Sequence, residues 1–229
     1  MHHSAKKCKP VNEGCRGRLI ISAILLVVVA AIAAFTFIQM KDRTYFHSPS
    51  YTPKQDKASD VLVVYYSRSG NTEAMAREIA RRLQADILRI ETKPYGLDFK
   101  GWLQANSDAA SEKKQVDITP EVVNFHPYRL IFLGSPIWWY RPAPPLWTFI
   151  EKNDFSGKDV VLFNTFNSEF KAEPIKEFQL EVEKKGGRLI DHIFIRRGRV
   201  YYQMSGKELI QQAQDLLDKK VKEWQTLQR

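Results

Sequence analysis

Ser67-Arg68-Ser69-Gly70-Asn71-Thr72 places three hydroxyls, one amide side chain and a glycine in six consecutive positions. Where such a run opens a helix it suits a small anion. The first N–H groups of the helix have no partner within it, and the helix dipole favours negative charge there. The run is not a nucleoside-triphosphate loop, because it lacks the Gly-Lys-Ser/Thr ending, and it is not the three-glycine dinucleotide fingerprint. A plain helix cap needs only one such residue. Four of them (Ser67, Ser69, Asn71 and Thr72) crowd together here, which reads as a phosphate cradle.

A second run is aromatic. Gly134-Ser135-Pro136-Ile137-Trp138-Trp139-Tyr140 is followed by Arg141-Pro142-Ala143-Pro144-Pro145. Adjacent tryptophans in a loop stiffened by prolines suit stacking on a flat ligand, with one ring of the pair left to cover the sheet end. A third run, Asn164-Thr165-Phe166-Asn167-Ser168, offers hydrogen-bonding groups. A phosphate cradle, an aromatic plate and a polar edge together describe a mononucleotide with a planar ring. Other chemistry finds no support. His126 and His192 are isolated, no His/Cys/carboxylate spacing would hold a metal, and no G-x-S-x-G elbow activates Ser67. Arg196-Arg197-Gly198-Arg199 with Tyr201 and Tyr202 reads as a solvated strand end rather than a docking patch.

Each run follows a stretch that reads as a strand. Val61–Tyr66 is β-branched and aromatic throughout, as expected of a strand buried on both faces. Strands are further predicted over 86–90, 129–133, 159–163 and 189–195. Helices are predicted over 72–83, near 100–114, and over 145–152, 173–185 and 206–227, with Gly186-Gly187 ending the fourth. Five strands alternating with helices make an α/β fold, an open parallel sheet covered on both faces. Ligands of such sheets bind beyond the carboxyl ends of the strands, where all three runs lie.

The pairing of Ser-x-Ser-Gly-Asn-Thr with Gly-x-Pro-x-Trp-Trp about 65 residues later resembles the flavodoxin-like superfamily, nearest its NAD(P)H:quinone oxidoreductase branch. The resemblance covers roughly residues 60–229. It implies a three-layer sandwich with a five-stranded sheet in the order 2-1-3-4-5 and one non-covalent FMN. It further implies that Ser67, Arg68, Ser69, Gly70, Asn71 and Thr72 hold the phosphate, and that Pro136, Ile137, Trp138 and Trp139 meet the isoalloxazine ring. Asn164, Thr165, Phe166 and Asn167 would line the ring edge or ribityl chain. An electron-transfer activity follows from the resemblance, as a reductase of quinones or similar acceptors with a small-molecule or protein electron donor. A one-electron carrier for a protein partner and a tethered interaction module without flavin are the alternatives. Carrier flavodoxins are strongly acidic, however, and this domain is not.

The chain has 229 residues and a net charge of +9. Residues 1–18 hold +4 of that charge and 39–60 hold +1, leaving +4 across everything else. That is too diffuse for nucleic acid. Both cysteines, Cys8 and Cys15, stand in the first fifteen residues, so no disulfide framework exists beyond them. Leu19–Ile38 is a run of twenty residues without a charge. As a helix it spans about 30 Å, the thickness of a bilayer's hydrocarbon core. Its thirteen Leu, Ile, Val and Phe residues favour insertion by about 4–8 kcal/mol. The run is too long for the apolar core of a cleaved signal peptide, so a single-pass anchor in membrane lipid is expected. Five basic residues precede it and four follow, which favours a cytoplasmic amino terminus and a domain on the far side. The expected organisation is a basic tail over 1–18, a membrane helix over 19–38, a linker over 39–59 and the FMN-binding domain over 60–229. The linker would let the domain stand off the bilayer.

Overall fold

The computed structural model describes residues 13–53, 58–199 and 202–227. Most of the basic tail, including Cys8, and Tyr201 at the basic strand end lie outside them. The chain divides into two compact units, Met1–Lys41 and Asp42–Arg229.

The described residues of the first unit lie in one helix, α1 (Glu13–Arg43), longer at both ends than the predicted span. Its stretch Gly17–Ile38 is long and apolar enough to cross a membrane, and none of it is buried.

The second unit is built on a parallel sheet. Its strands are β1 (Val61–Tyr66), β2 (Asp86–Ile90), β3 (Leu130–Trp138), β4 (Arg141–Pro142), β5 (Asp159–Phe166) and β6 (Arg188–Arg196). The order is β2-β1-β3-β5-β6, and β4 pairs with β3 alone. The expected order is therefore present, with a two-residue sixth strand hung on the middle one. Successive side chains of β1 point to opposite faces, so the single run Val61–Tyr66 supplies two cores. Val61, Val63 and Tyr65 pack with Met75 and Ile79 of α2 (Asn71–Leu83) and with Leu209, Leu217 and Trp224 of α6 (Gly206–Leu227). Leu62, Val64 and Tyr66 pack with Ala105 of α3 (Phe99–Ala110), with Leu146 and Phe149 of α4 (Pro144–Lys152), and with Phe178 of α5 (Ala172–Lys184).

Two strands run further than the sequence predicts. β3 continues past Leu133 to Trp138, and β5 past Phe163 to Phe166. Gly134 is required in this stretch, because a Cβ there would lie 2.0 Å from the ring of Phe163, its register partner on β5. The aromatic run is therefore mostly strand, closed by a two-residue turn at Trp139-Tyr140 into β4. Both turn residues have positive φ, 48° and 69°.

The expected free linker is also different. Residues 44–53 lie along the domain as a strap. The Phe46 N–H donates to Ser69 O at 2.9 Å, Arg77 donates to Ser48 O at 2.6 Å, and Tyr51 OH donates to Ala85 O at 2.9 Å. Three aromatic residues in seven positions, Tyr45, Phe46 and Tyr51, are the reason: each finds apolar or hydrogen-bonding cover on the α2–α6 face.

Candidate functional site

The phosphate run leaves β1 at Ser67 and enters α2 through Gly70, the helix N-cap, whose φ of 82° is left-handed. No side chain caps this helix, so Ser67, Ser69 and Asn71 do not serve as the ordinary cap. Asn71 Nδ2 instead lies 2.9 Å from Ser69 Oγ, and Asn71 Oδ1 is buried without a partner among the described residues. Turning that amide lets the Ser69 hydroxyl donate to Oδ1 and leaves Nδ2, a donor, unspent. A loop with unspent donors and uncapped helical N–H groups fits a phosphate.

Thr72 is buried, its Oγ1 2.8 Å from Oγ1 of Thr165 on β5. It fastens the helix to the sheet. Arg68 donates to Gly96 O at 3.0 Å, joining this loop to the one before α3. Glu73 in the first helical turn would repel an anion, but it is buried and held by Arg77 at 2.5 Å and Arg89 at 3.5 Å. It also accepts from Tyr65 OH at 3.2 Å and from Tyr45 OH of the strap. Burial and the neighbouring carboxylate push both phenols upward, so they stay protonated.

The tryptophan pair divides. Trp138 packs edge-on against Tyr66 and Tyr95, with ring centroids 5.7 and 5.5 Å away. Trp139 is 57% exposed, and its Nε1 donates to Asn106 Oδ1 at 3.3 Å. Pro136 lies half-buried within β3, its carbonyl accepting from Ala143 N–H at 3.1 Å, and Ile137 is buried beside it. Arg141 anchors the turn from below, with Nη2 2.6 Å from Glu177 Oε2 and its guanidinium over the Trp147 ring.

The third run is brought to the same end of the sheet but is more committed than expected. Asn164 is fully buried. Its Nδ2 donates to Ser135 O at 2.8 Å, and its Oδ1 lies 2.9 Å from His192 Nε2. Since that amide oxygen can only accept, the histidine donates from Nε2. Burial holds His192 neutral, its pKa pushed down to about 4. Thr165 is spent on Thr72, Phe166 packs on Phe170 and Phe194, and only Asn167 is exposed, its Oδ1 accepting from Gln203. No group of three or more metal-ligating side chains occurs among the described residues.

Residues 60–200 match the flavodoxin family. Among solved structures, one from Bacteroides uniformis described as a flavoprotein shares 25% identity at a TM-score of 0.54, over 68% of this chain and 98% of that one. Another, from Bacteroides eggerthii, shares 23% at 0.54, over 70% and 96%. A flavoprotein of Lactobacillus acidophilus, solved in complex with FMN, shares 23% at 0.49, over 60% and 93%. A search of curated proteins finds no match. The strand order, the loop between β1 and α2, and a family match over 60–200 agree: this chain belongs to the flavodoxin family.

Proposed function

We propose that this protein is a membrane-anchored FMN flavoprotein that transfers electrons, reducing quinones or similar acceptors at the expense of NAD(P)H. The observation that carries the reading is the first turn of α2. It is uncapped by any side chain, has Asn71 Nδ2 against Ser69 Oγ beside it, and is set in a flavodoxin-family domain. Bound there, FMN supplies the redox chemistry. The chain's own residues bind and orient it. Ser69, Asn71 and the first N–H groups of α2 would take the phosphate, while Trp139 offers an exposed ring for the flavin face. Trp138, wedged between Tyr66 and Tyr95, holds the turn that presents Trp139. The pairing of Glu73 with Arg77 and Arg89 keeps its carboxylate from opposing the phosphate.

The apolar helix α1 serves as a single-pass anchor, with the short basic tail on the cytoplasmic side and the domain across the membrane. The test is purification of the full chain in detergent. It should carry a flavin visible spectrum, bind FMN more tightly than riboflavin, and consume NAD(P)H only when a quinone is supplied. A bleached chain that takes up no FMN would leave an interaction module. Flavin without NAD(P)H turnover would leave a carrier.

A further inference from the structure

A backbone hydrogen bond between the strap and the phosphate loop fixes the direction of a donor. The Phe46 N–H donates to Ser69 O at 2.9 Å. The Ser69–Gly70 peptide is trans, since the single cis bond among the described residues is Thr119–Pro120. In a trans peptide the C=O and the following N–H point in opposite directions. Pinning Ser69 O toward the strap therefore turns the Gly70 N–H away from it. The Phe46 carbonyl completes the lock. It lies 2.0 Å from where a Cβ on Gly70 would sit, so the strap seats itself against this glycine and would be displaced by any side chain there. The Phe46 ring fills the corresponding space at Gly206, where α6 begins. Tyr45 ties the same segment to the buried Glu73 and to Arg89, whose Nη1 donates to Tyr45 OH at 2.8 Å.

We propose that the juxtamembrane strap is a positioning element of the anion site: the Phe46 N–H holds the Ser69–Gly70 peptide so that the Gly70 N–H joins the phosphate cradle. The strap lies before the residues that match the flavodoxin family, which begin at residue 60, so this support comes from the chain's own anchor-proximal segment. The inference rests on the FMN reading of the loop. Docking of the strap and binding of the phosphate then assist each other, because each stabilises the same peptide orientation.

The experiment uses the full chain in detergent with FMN and riboflavin as probes, since riboflavin shares the ring and lacks the phosphate. Phe46→Pro removes the N–H and the ring, and Phe46→Ala removes only the ring. The ratio of FMN to riboflavin affinity should fall about tenfold in Phe46→Pro and stay near wild type in Phe46→Ala, the effect of mis-setting one charge-assisted hydrogen bond. A strap that merely stabilises the domain would lower both affinities together and leave the ratio unchanged in both variants, which overturns the inference while FMN binding stands. Hydrogen exchange of the wild-type chain needs no variant to fold. Added FMN should slow exchange of the Phe46 amide more than added riboflavin does. Faster exchange on adding FMN would mean that strap and phosphate compete, and would overturn the proposal. A wild-type chain that binds neither flavin overturns this inference together with the FMN reading.

Discussion

Gly70 meets two demands at once, a left-handed φ of 82° and the approach of the Phe46 carbonyl. Gly70→Ala should cost about 1–2 kcal/mol of stability from backbone strain, with a further loss as the strap is pushed off. Thermal unfolding of the two chains measures it, and an unchanged midpoint would contradict the assigned conformation. The neighbouring tryptophans should respond differently. Trp139→Ala should weaken FMN binding by about 1 kcal/mol while leaving the melting temperature nearly unchanged. Trp138→Ala should destabilise the domain by about 2–4 kcal/mol, because the ring is wedged against Tyr66 and Tyr95. Flavin titration followed by melting of the same samples separates the two. His192 sets a pH response. Its native pKa, pushed down by burial to about 4, lies below that of the unfolded chain, near ~6.5. Between those values the unfolded state binds more protons, so stability should be level above pH ~6.5 and fall as the pH drops toward 4. His192→Gln, which keeps a donor for Asn164, should flatten the slope of melting temperature against pH in that window.

Among the elements, the turn joining β3 to β4 is the most unusual. A two-residue hairpin with positive φ at both positions normally takes Asn-Gly, and here it is Trp139-Tyr140. Bulky residues in that conformation cost of order 1 kcal/mol each. The double variant Trp139→Asn, Tyr140→Gly should therefore gain about 1 kcal/mol of stability and lose flavin affinity. Denaturant unfolding and FMN titration read the two effects, and a variant less stable than the parent would refute the strain. The same turn shows where the sequence stops being legible. Strand one and the alternation of strands and helices are readable, because burial on both faces and helical spacing leave plain marks. The extension of β3 was hidden, since Gly134 and Pro136 look like strand breakers. Gly134 is there to admit the Phe163 ring, and Pro136 still supplies a carbonyl to Ala143. The extension of β5 was hidden for the opposite reason. Asn164 and Thr165 look like loop residues, yet Ser135, His192 and Thr72 satisfy their polar groups inside the fold. The strap is hidden in the sequence because Pro49, Pro53 and its serines read as linker, while its three aromatic residues find their partners far along the chain.

For the whole molecule, the unit that folds begins at the strap rather than at β1. A soluble chain starting at Thr44 should be more stable than one starting at Asp60 by about 2 kcal/mol or more, from the apolar area of Tyr45, Phe46 and Tyr51. Equal melting temperatures would show that the strap adds nothing. Sidedness belongs to this scale as well. Moving the five positive charges of the tail outward across a membrane with a negative interior costs ~2.3 kcal/mol for each charge at 100 mV. Protease applied to intact cells should therefore cut beyond Ile38, and full protection until lysis would place the domain in the cytoplasm.

The register of the sheet carries a consequence in time. Val61 of β1 pairs with Leu130 of β3, which in turn pairs with Asp159 of β5. At ~5–20 residues per second of synthesis, the central strands become available to each other several seconds after the apolar helix has emerged. Pairings so distant in sequence are also slow to close once their partners exist. A membrane that captures α1 thus does so while the rest is still an unstructured nascent chain. Were α1 captured as an anchor, the side on which the domain matures would be decided before it has a shape, by the few charges flanking that helix.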